Sequence, residues 1–440
     1  MRRLALVCGF VALLLACGTV EGPGALGPSP SAIASKLPQP IAQPITRKDP
    51  GAQVAWVWTY AGEKRSLVAV DPAGAIVAQL DDVALASARA FWRSADGATI
   101  FLAGASDVRA YSALGGKLQR TYVNPASPPI ASAFSADGRW LAVLSSGPSP
   151  RLAIVDLRSG ATQTVPIAHD PNAALPGLSG QIANTIWGTV AFGPDSASLY
   201  VLTDWGGPAR ITAFALANDQ LRQTATVVDG QSGRIPSCAG PAVAATVSAR
   251  ANALVVFCHV DGAVWLVDPA NLANVTVVQA DQPNPFWLSP IFTPDGQLLY
   301  LHQAPAFGDK MQVVDLLSRK LLGPVTTPTH VGDAGPFSWR MPVAYAGGTA
   351  STMPVSPDGL KLYSGTADGV AVLRIPDLKP LARLAPGVSV DEIWVSGDGR
   401  TLYATADAGK RLAVIAEDGS AVKIVTPPAQ MGGFIASERG

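Results

Sequence analysis

The sequence predicts an all-β fold in which four-stranded sheets repeat radially and close into one ring. Three observations predict it: a phrase of strand, Asp-Gly turn and strand recurs, its copies are spaced by about 40 to 60 residues, and strand patterning continues throughout. The two clearest copies are residues 133–138, 140–143 and 153–156, and residues 291–296, 299–301 and 312–315. Self-similarity at this period is typical of radially repeated sheet proteins.

The first element is a secretory signal peptide over residues 1–16. Two arginines precede an apolar run from Leu4 to Ala16, which is too short to span a bilayer as a mature helix. The end of this run, residues 14–18, resembles the bacterial lipobox. That resemblance implies a diacylglyceryl thioether on Cys17, cleavage before it, and acylation, for example with palmitate, of the new N-terminus. The alternative is an ordinary signal peptide followed by a chance cysteine.

Residues 17–50 are predicted to be a tether. The stretch is rich in glycine, proline, serine and alanine, has few charges and contains no aromatic residue. It cannot bury enough apolar surface to offset the cost of ordering. As flexible coil it would place the next domain about 30 Å from the membrane, and as extended polyproline about 100 Å. Residues 51–440 form the predicted ring, because no linker-like break divides them.

The charge balance limits the classes of partner that the protein can bind, and the cysteines bear on whether it contains a disulfide. Charged residues make up 15% of the chain and balance at net zero, so electrostatics give no support for a nucleic-acid partner. Apart from Cys8 and Cys17 near the N-terminus, the only cysteines are Cys238 and Cys258. In an exported protein these two predict a disulfide, which would close a loop of about 20 residues. The alternative is a buried free thiol at Cys258.

The repeats can be counted by naming the strands of each unit a to d, with strand a innermost. Strands a lie near residues 90–92, 131–134, 190–192, 242–247, 289–292, 352–355, 392–395 and 433–436. Strands b lie near residues 54–60, 99–103, 140–144, 199–202, 254–258, 298–301, 361–364 and 401–404. The first strand b has no strand a before it, and the last strand a has no strand b after it. We therefore predict that the C-terminal strand closes the ring.

This pattern resembles the β-propellers of the YVTN and WD40-like class. The shared phrase is Ser/Thr-x-Asp-Gly, then Leu-Tyr-Val, then Val-x-Val-Asp, and the resemblance covers residues 51–440. It implies a single β-propeller of four-stranded blades. Members of the class often have seven blades, whereas the count here is eight. Because residues 248–252 replace the Asp-Gly turn in the fifth unit, a seven-bladed ring with one irregular segment is the alternative.

The repeated residues are predicted to be structural. The Asp-Gly turns supply side-chain capping and a positive backbone dihedral at little cost. The bulky residues that end strands a are expected to pack between blades: Trp92, Phe134, Phe192, Phe292 and Trp394. The aspartates that end strands c are expected to cap the c-to-d turns: Asp71, Asp156, Asp268 and Asp315.

Strands of a meander alternate in direction, so the b-to-c and d-to-a connections share one face of the ring. Nearly all the excess length lies there, in residues 169–187, 230–241 and 327–350, and long loops on a rigid scaffold concentrate binding residues. The candidate ligand-binding residues on this face are His169, Trp205, His259, Asp261, Trp287, His302, Asp309, His330, Trp339 and Arg340. Together they would form an aromatic-walled pocket with titratable groups at its mouth. The alternative is that the four histidines collect there only because exposed loops are polar.

The sequence favours a binding or scaffold protein over an enzyme. No motif with the spacing of a nucleophile and base, a metal site or a haem attachment is present, and no catalytic residue, metal site or cofactor is predicted. We expect an extracytoplasmic protein of the cell envelope, anchored by lipid to a bacterial membrane, that binds an envelope protein, a glycan or a small ligand. The resemblance also leaves an enzyme alternative: a lactonase-like or quinoprotein amine dehydrogenase-like propeller, or a subunit of one.

Overall fold

A computed structural model of the chain describes residues 37–39, 41–42, 49–61, 64–81, 90–94, 96–104, 106–123, 129–145, 149–168, 187–204, 210–228, 242–258, 262–280, 287–303, 310–326 and 353–434. These residues form β-strands joined by turns, with a short 3-10 helix at Pro50–Gln53. Within these ranges, no helix has the length and apolar character needed to cross a membrane.

The strands form eight antiparallel sheets, or blades, numbered here in the order of their b strands. Blade 1 contains β31 (Gln430–Phe434), β1 (Ala55–Ala61), β2 (Lys64–Val70) and β3 (Ile76–Leu80). Blade 2 contains β4 (Ala90–Arg93), β5 (Thr99–Ala103), β6 (Asp107–Ser112) and β7 (Leu118–Val123). Blade 3 contains β8 (Pro129–Phe134), β9 (Trp140–Ser145), β10 (Arg151–Asp156) and β11 (Thr162–Pro166). Blade 4 contains β12 (Trp187–Phe192), β13 (Ser198–Asp204), β14 (Arg210–Ala217) and β15 (Gln220–Val228).

The second half of the ring follows the same order. Blade 5 contains β16 (Ala242–Ser248), β17 (Ala253–Cys258), β18 (Ala263–Asp268) and β19 (Asn271–Gln279). Blade 6 contains β20 (Trp287–Phe292), β21 (Leu298–Gln303), β22 (Lys310–Asp315) and β23 (Lys320–Thr326). Blade 7 contains β24 (Lys361–Thr366), β25 (Gly369–Arg374) and β26 (Pro380–Leu384), and blade 8 contains β27 (Val390–Val395), β28 (Thr401–Ala406), β29 (Arg411–Ala416) and β30 (Val422–Val425). Among the described residues, the inner strand of blade 7 is reduced to the bridge between Val355 and Leu362.

The last strand of the chain closes the ring. β31 pairs antiparallel with β1, and Val57 lies opposite Phe434 while Tyr60 lies opposite Gln430. The inner strand of blade 1 therefore comes from the C-terminal end of the chain, and its other three strands come from the N-terminal end. The chain is a β-propeller of eight blades, which confirms the predicted count and closure and excludes the seven-bladed alternative.

The Asp-Gly turns use one hydrogen-bond scheme. In blade 3 the Ser135 hydroxyl donates to Asp137 Oδ1 at 2.5 Å and accepts from the Trp140 N–H at 2.9 Å. Asp137 accepts from the Arg139 N–H at 3.1 Å, and Gly138 has a φ of 67°. The same pairing of hydroxyl and aspartate recurs in residues 94–97, 293–296, 356–359 and 396–399. The repeated phrase is thus a turn motif, as predicted.

The unit without an Asp-Gly turn is a regular four-stranded blade. Asn252 takes the left-handed conformation that glycine takes elsewhere, with φ at 46°, and its N–H donates to the Ala249 carbonyl at 3.3 Å. Asparagine adopts this conformation more readily than most residues. The Ser248 hydroxyl accepts from the Ala251 N–H at 3.1 Å and donates to the Gly296 carbonyl of blade 6 at 2.7 Å. Blade 5 therefore keeps the turn with different residues.

Apolar side chains fill the interfaces between neighbouring blades all the way around the ring. Between blades 2 and 3, the rings of Phe101 and Phe134 lie 5.0 Å apart, centroid to centroid. Of the bulky residues predicted to pack between blades, Phe134, Phe192, Phe292 and Trp394 do so, while the side chain of Trp92 lies outside the described residues. Burial of each such side chain contributes about 1.5–3 kcal/mol.

The aspartates at the ends of strands c cap the turns that follow. Asp71, Asp156, Asp268 and Asp315 accept hydrogen bonds from the backbone N–H groups of Ala75, Arg158, Ala270 and Leu317, at 2.8, 2.8, 2.9 and 3.0 Å respectively. Each bond satisfies a backbone donor that the turn leaves without a strand partner. The predicted capping role is confirmed at all four positions.

We expect Asp156 to make the ring sensitive to acid. Burial raises the pKa of Asp156, but hydrogen bonds from Arg139 and from the N–H groups of Arg158 and Ser159 outweigh burial and lower it to about 2. Because the folded pKa lies below the unfolded value of about 3.9, the stabilisation is present above pH 4 and is lost as pH falls toward 2. Asp156→Asn should lower the free energy of unfolding at pH 7 by about 1–2 kcal/mol, measured by urea titration.

The control for this prediction is Asp219→Asn, which removes the other carboxylate partner of Arg139. That side chain is 62% exposed, so its loss should cost less than about 0.5 kcal/mol. The prediction would be contradicted if Asp156→Asn and the unchanged protein differed as much at pH 2 as at pH 7.

A short N-terminal segment, residues 49–54, takes the place of the a-to-b turn of blade 1. Its carbonyl oxygens accept hydrogen bonds from Gly397 and Tyr403 of blade 8, at 2.9 and 2.6 Å, and from Arg93 of blade 2, at 2.7 Å. No turn joins strands a and b in this blade, because they come from opposite ends of the chain. The segment therefore connects blade 8 to blade 2 across the point of closure.

Candidate functional site

The propeller has two unlike faces. The short-turn face carries the a-to-b turns, such as residues 135–138, and the c-to-d turns, such as residues 156–160. The long-connection face carries the b-to-c and d-to-a connections, including those that follow β11, β15 and β23. Antiparallel pairing within each blade produces this division, because neighbouring strands run in opposite directions.

On the short-turn face, charged side chains connect neighbouring blades. Three ion pairs do this: Arg139 of blade 3 with Asp219 of blade 4 at 2.9 Å, Arg250 of blade 5 with Asp295 of blade 6 at 2.9 Å, and Lys361 of blade 7 with Glu417 of blade 8. These charges link neighbouring blades, so their positions are explained by the architecture of the ring without a ligand.

A cavity of about 220 Å³ lies on the short-turn face between blades 7 and 8. Its carboxyl groups and the Tyr363 hydroxyl are already bonded. Asp358 and Asp398 cap their own turns, and Glu417 accepts hydrogen bonds from Lys361 and, at 3.2 Å, from the Tyr363 hydroxyl. Burial and the neighbouring Glu417 hold the pKa of Tyr363 far above its ordinary value, so the hydroxyl stays a donor. This cavity is a gap between turns, and we do not assign it a function.

The described part of the long-connection face shows a different pattern. Its ion pairs join residues of the same blade: Asp107 with Arg109 in blade 2 at 2.7 Å, Asp368 with Arg383 in blade 7 at 2.6 Å, and Asp407 with Arg411 in blade 8. These pairs brace individual turns without linking the blades. Hydrogen bonds do link blades 8 and 1 on this face, from the Met431 N–H to the Gly409 carbonyl at 2.7 Å and from the Gln430 amide to the Ala408 carbonyl at 3.0 Å.

Asp391 stands out among the described carboxyl groups of the long-connection face. Burial raises its pKa, the nearby Asp407 adds to the rise, and a hydrogen bond from the Gly409 N–H at 3.2 Å opposes it. Carboxyl groups with perturbed pKa values cluster at functional sites, so Asp391 is a candidate functional residue. We did not predict this residue. The sequence does contain a sign of it, because two adjacent acids, Asp391 and Glu392, stand at the start of an inner strand. The inner strands β8, β12, β16 and β20 contain no charged residue.

Two predicted site residues lie in described strands of blade 6. Trp287 is the first residue of β20 and lies opposite Gln303, while His302 lies opposite Met311. The structure therefore brings the backbones of Trp287 and His302 together, on paired strands at the long-connection end of blade 6. Their side chains lie outside the described part of the chain.

The other predicted residues lie outside the described residues: His169, Trp205, His259, Asp261, Asp309, His330, Trp339, Arg340 and the lipidation residue Cys17. The strand ends that flank His259 and Asp261 are described. There the Gly262 N–H donates to the Cys258 carbonyl at 3.0 Å, so the two flanking residues meet at the long-connection face of blade 5.

Cys258 is fully buried at the end of β17 and is bonded in a disulfide. The other half of that bond lies outside the described residues, as does Cys238, the partner that the sequence predicts. The pairing of Cys238 with Cys258 stays a prediction.

The described core contains polar atoms that lack a hydrogen-bond partner on four consecutive blades. They are Thr203 Oγ1, Trp265 Nε1, Gln312 Oε1 and Ser364 Oγ, on blades 4, 5, 6 and 7 respectively. Buried polar groups are normally paired, so this sector contains unused hydrogen-bonding capacity. Across the described ranges, no group of three or more histidine, cysteine, aspartate or glutamate side chains is placed to hold a metal ion.

Comparison with known proteins supports the fold. No family model and no curated protein matches the chain. Among solved structures, it is similar to dihydro-heme d1 dehydrogenase NirN in complex with DHE, with a TM-score of 0.60 and 17% identity over 94% of this chain and 83% of that one. It also matches hydrazine synthase of Kuenenia stuttgartiensis, with a TM-score of 0.47 and 14% identity over 78% of this chain and 96% of that one. Both are β-propeller proteins. At 17% identity, the likeness to the dehydrogenase structure concerns the fold alone.

Proposed function

We propose that the protein is a lipid-anchored, extracytoplasmic β-propeller that binds an envelope protein, a glycan or a small ligand through its long-connection face. The lipid is attached to Cys17, and residues 17–50 link it to the ring. The lipobox-like sequence supports the anchor, and the closed ring supports a binding role because it presents loops on a rigid frame. Membership in the YVTN and WD40-like repeat class is part of the same proposal, which includes neither a nucleic-acid partner nor a cofactor.

The difference between the two faces carries this proposal. On the short-turn face, the polar side chains cap turns and connect blades, as Asp137 and Arg139 do. On the long-connection face, the described ion pairs stay within single blades, and the longest connections leave from β11, β15 and β23. The longest connections are thus concentrated on one face of the ring. In rigid scaffolds, binding residues commonly lie in such loops.

The residue types on that side suit recognition. Trp287 and His302 lie on paired strands at the rim of blade 6, and tryptophan and histidine are residue types that supply stacking surfaces and donors to a glycan or to a protein side chain. Asp391 adds a carboxyl group near the inner edge of blade 8. Aromatic and polar residues of these types are typical of binding sites in proteins.

An enzyme of the lactonase or amine dehydrogenase type is the alternative. One similar structure is named as a dehydrogenase, and DHE is bound to it. At 17% identity, neither that reaction nor that ligand carries over to this chain. We therefore place binding first.

Replacing residues 327–350, the longest insertion on the long-connection face, with a short Gly-Ser linker should abolish partner capture. The expected loss is about tenfold or more in material that crosslinks to the protein in its native envelope, because a few anchor residues dominate most interfaces. Quantitative mass spectrometry after mild crosslinking measures this loss, and thermal unfolding checks that the variant is folded.

The matched control is Leu317→Ser on the short-turn face. Leu317 is 42% exposed in the c-to-d turn of blade 6, so its replacement should leave capture unchanged. Equal capture by all three proteins would contradict the proposal. A stoichiometric metal that is lost in the double variant His259→Ala, His302→Ala would favour the enzyme alternative instead.

A further inference from the structure

Part of the segment that composition predicts to be a free tether packs against the ring. Leu37 is 5% exposed and belongs to the apolar cluster between blades 6 and 7, together with Leu298 and Met353. In blade 7 the described inner strand is only the bridge between Val355 and Leu362. Leu37 therefore adds an apolar side chain to the interface at which the described inner strand is shortest.

A hydrogen bond holds the same segment four residues later. The Ile41 N–H donates to Asp295 Oδ2 at 3.1 Å, in the a-to-b turn of blade 6. The Asp295 side chain is 4% exposed and also accepts from Thr293, Gln297 and Arg250. Burial raises the pKa of Asp295, but the bonds from Thr293, Gln297 and Ile41 outweigh burial and lower it below its usual range. This contact belongs to the short-turn face.

The equivalent turn of blade 7 offers a direct comparison. There Asp358 accepts hydrogen bonds from Ser356 and from the Leu360 N–H, both in its own turn. Asp295 has the same two kinds of bond and additionally accepts the Ile41 N–H. The extra bond is specific to blade 6, next to the interface that buries Leu37.

We propose that residues 37–39 and 41–42 are a docking segment that orients the propeller on the membrane. The short-turn face turns toward the lipid, and the long-connection face turns away from it. This inference rests on the proposed lipid anchor at Cys17. Two independent contacts carry it, the burial of Leu37 and the hydrogen bond of Ile41, and the second places the segment on the short-turn face.

Docking shortens the free tether and affects how the ring is oriented relative to the membrane. It leaves only residues 18–36 as free tether, about 20 residues with a root-mean-square span of about 25 Å as coil. The chain is then held on the short-turn face at two places, at blades 6 and 7 by the docking segment and at blades 8 and 2 by residues 49–54. Because the free tether leaves the ring at the first of these places, it pulls on the short-turn face and keeps that face nearest the lipid. Strands of six residues span about 20 Å, so the long-connection face lies about that much farther from the membrane.

Hydrogen–deuterium exchange on the full-length lipidated protein in detergent tests the docking. The Ile41 amide should be protected in the unchanged protein and should exchange about tenfold faster or more in Leu37→Asp and in Asp295→Asn, because local opening governs exchange. The matched control is Asp358→Asn, which alters an equivalent turn without a docked amide and should leave Ile41 protected. An Ile41 amide that exchanges freely in the unchanged protein would overturn the docking segment.

Fluorescence quenching on vesicles tests the orientation. A dye on Leu317→Cys, on the short-turn face, should be quenched at least about twofold more by headgroup-attached quenchers than a dye on Lys410→Cys, on the long-connection face, given their separation. The vesicles contain phosphatidylethanolamine and phosphatidylglycerol. Adding Leu37→Asp to each labelled protein should remove this difference in quenching.

The outcomes separate the two proposals. Equal quenching of both dyes while Ile41 is protected would overturn the orientation and leave the anchor intact. Failure of the unchanged lipidated protein to bind vesicles would refute the anchor, and the orientation with it, while exchange at Ile41 would still report whether the segment docks.

Discussion

Removing residues 429–440 is expected to unfold the protein. β31 supplies the inner strand of blade 1, and its Met431 and Phe434 are 5% and 7% exposed in the apolar cluster shared by blades 8 and 1. Losing these two side chains costs about 3–6 kcal/mol, against a total stability of about 5–15 kcal/mol for a typical domain. The truncation also leaves an unpaired edge on β1, which favours aggregation. Urea unfolding and size-exclusion chromatography measure both effects.

The matched control is a chain that ends at Ala436, which keeps all of β31. Its free energy of unfolding should stay within about 1 kcal/mol of the full chain, because the closing strand and its buried side chains remain. A chain that ends at Pro428 and unfolds at the same urea concentration as the full chain would show that the ring does not need its closing strand.

Arg93→Ala should lower the free energy of unfolding by about 3 kcal/mol or more. The Arg93 side chain is 1% exposed and donates to the Val54 carbonyl at 2.7 Å and to the Gly51 carbonyl at 3.3 Å. Its guanidinium carbon lies 4.7 Å from the centre of the Trp394 ring. Hydrogen bonds from a charged donor contribute about 1.5–3 kcal/mol, and a desolvated cation over an aromatic ring about 2 kcal/mol. The alanine would leave two buried carbonyls without this donor.

Urea unfolding of Arg93→Ala tests this expectation, with Arg374→Ala as the control. Arg374 forms an ion pair with Asp377, but its side chain is 49% exposed, so its loss should cost less than about 1 kcal/mol. Arg93→Lys should recover only part of the stability, because an ammonium cannot donate in the fork geometry of a guanidinium. Equal stability of the Arg93 and Arg374 alanine variants would refute the role of Arg93.

The ring could be predicted because each repeat carries its own local chemistry. Thr293, Asp295 and Gly296 form a turn that is complete within six residues, and Asp315 caps the next turn along the chain. Such contacts depend on neighbours in sequence, so a repeated phrase reports them directly. Blade 5 was ambiguous because its turn depends on the left-handed conformation of Asn252, which no Asp-Gly signal marks.

Less of the candidate site could be predicted. The face that carries it follows from counting strands, but the raised pKa of Asp391 depends on burial and on Asp407, which is 16 residues away in the chain. The docking of Leu37 was not predictable from composition, because a Pro- and Ala-rich segment gives no sign that one leucine will enter the cluster between blades 6 and 7. Such effects arise only when distant segments meet.

The amino-acid sequence predicted eight blades with seven as the alternative, together with the turns and the order of the strands, because short-range hydrogen bonds and strand periodicity repeat along the chain. Contacts between remote residues decided the rest. They place Arg93 of blade 2 against Trp394 of blade 8, attach Ile41 to Asp295, and put the described ion pairs between blades on the short-turn face. A closed ring brings the ends of the chain into contact, and its geometry determines which local groups face a neighbouring blade and which remain available to a partner.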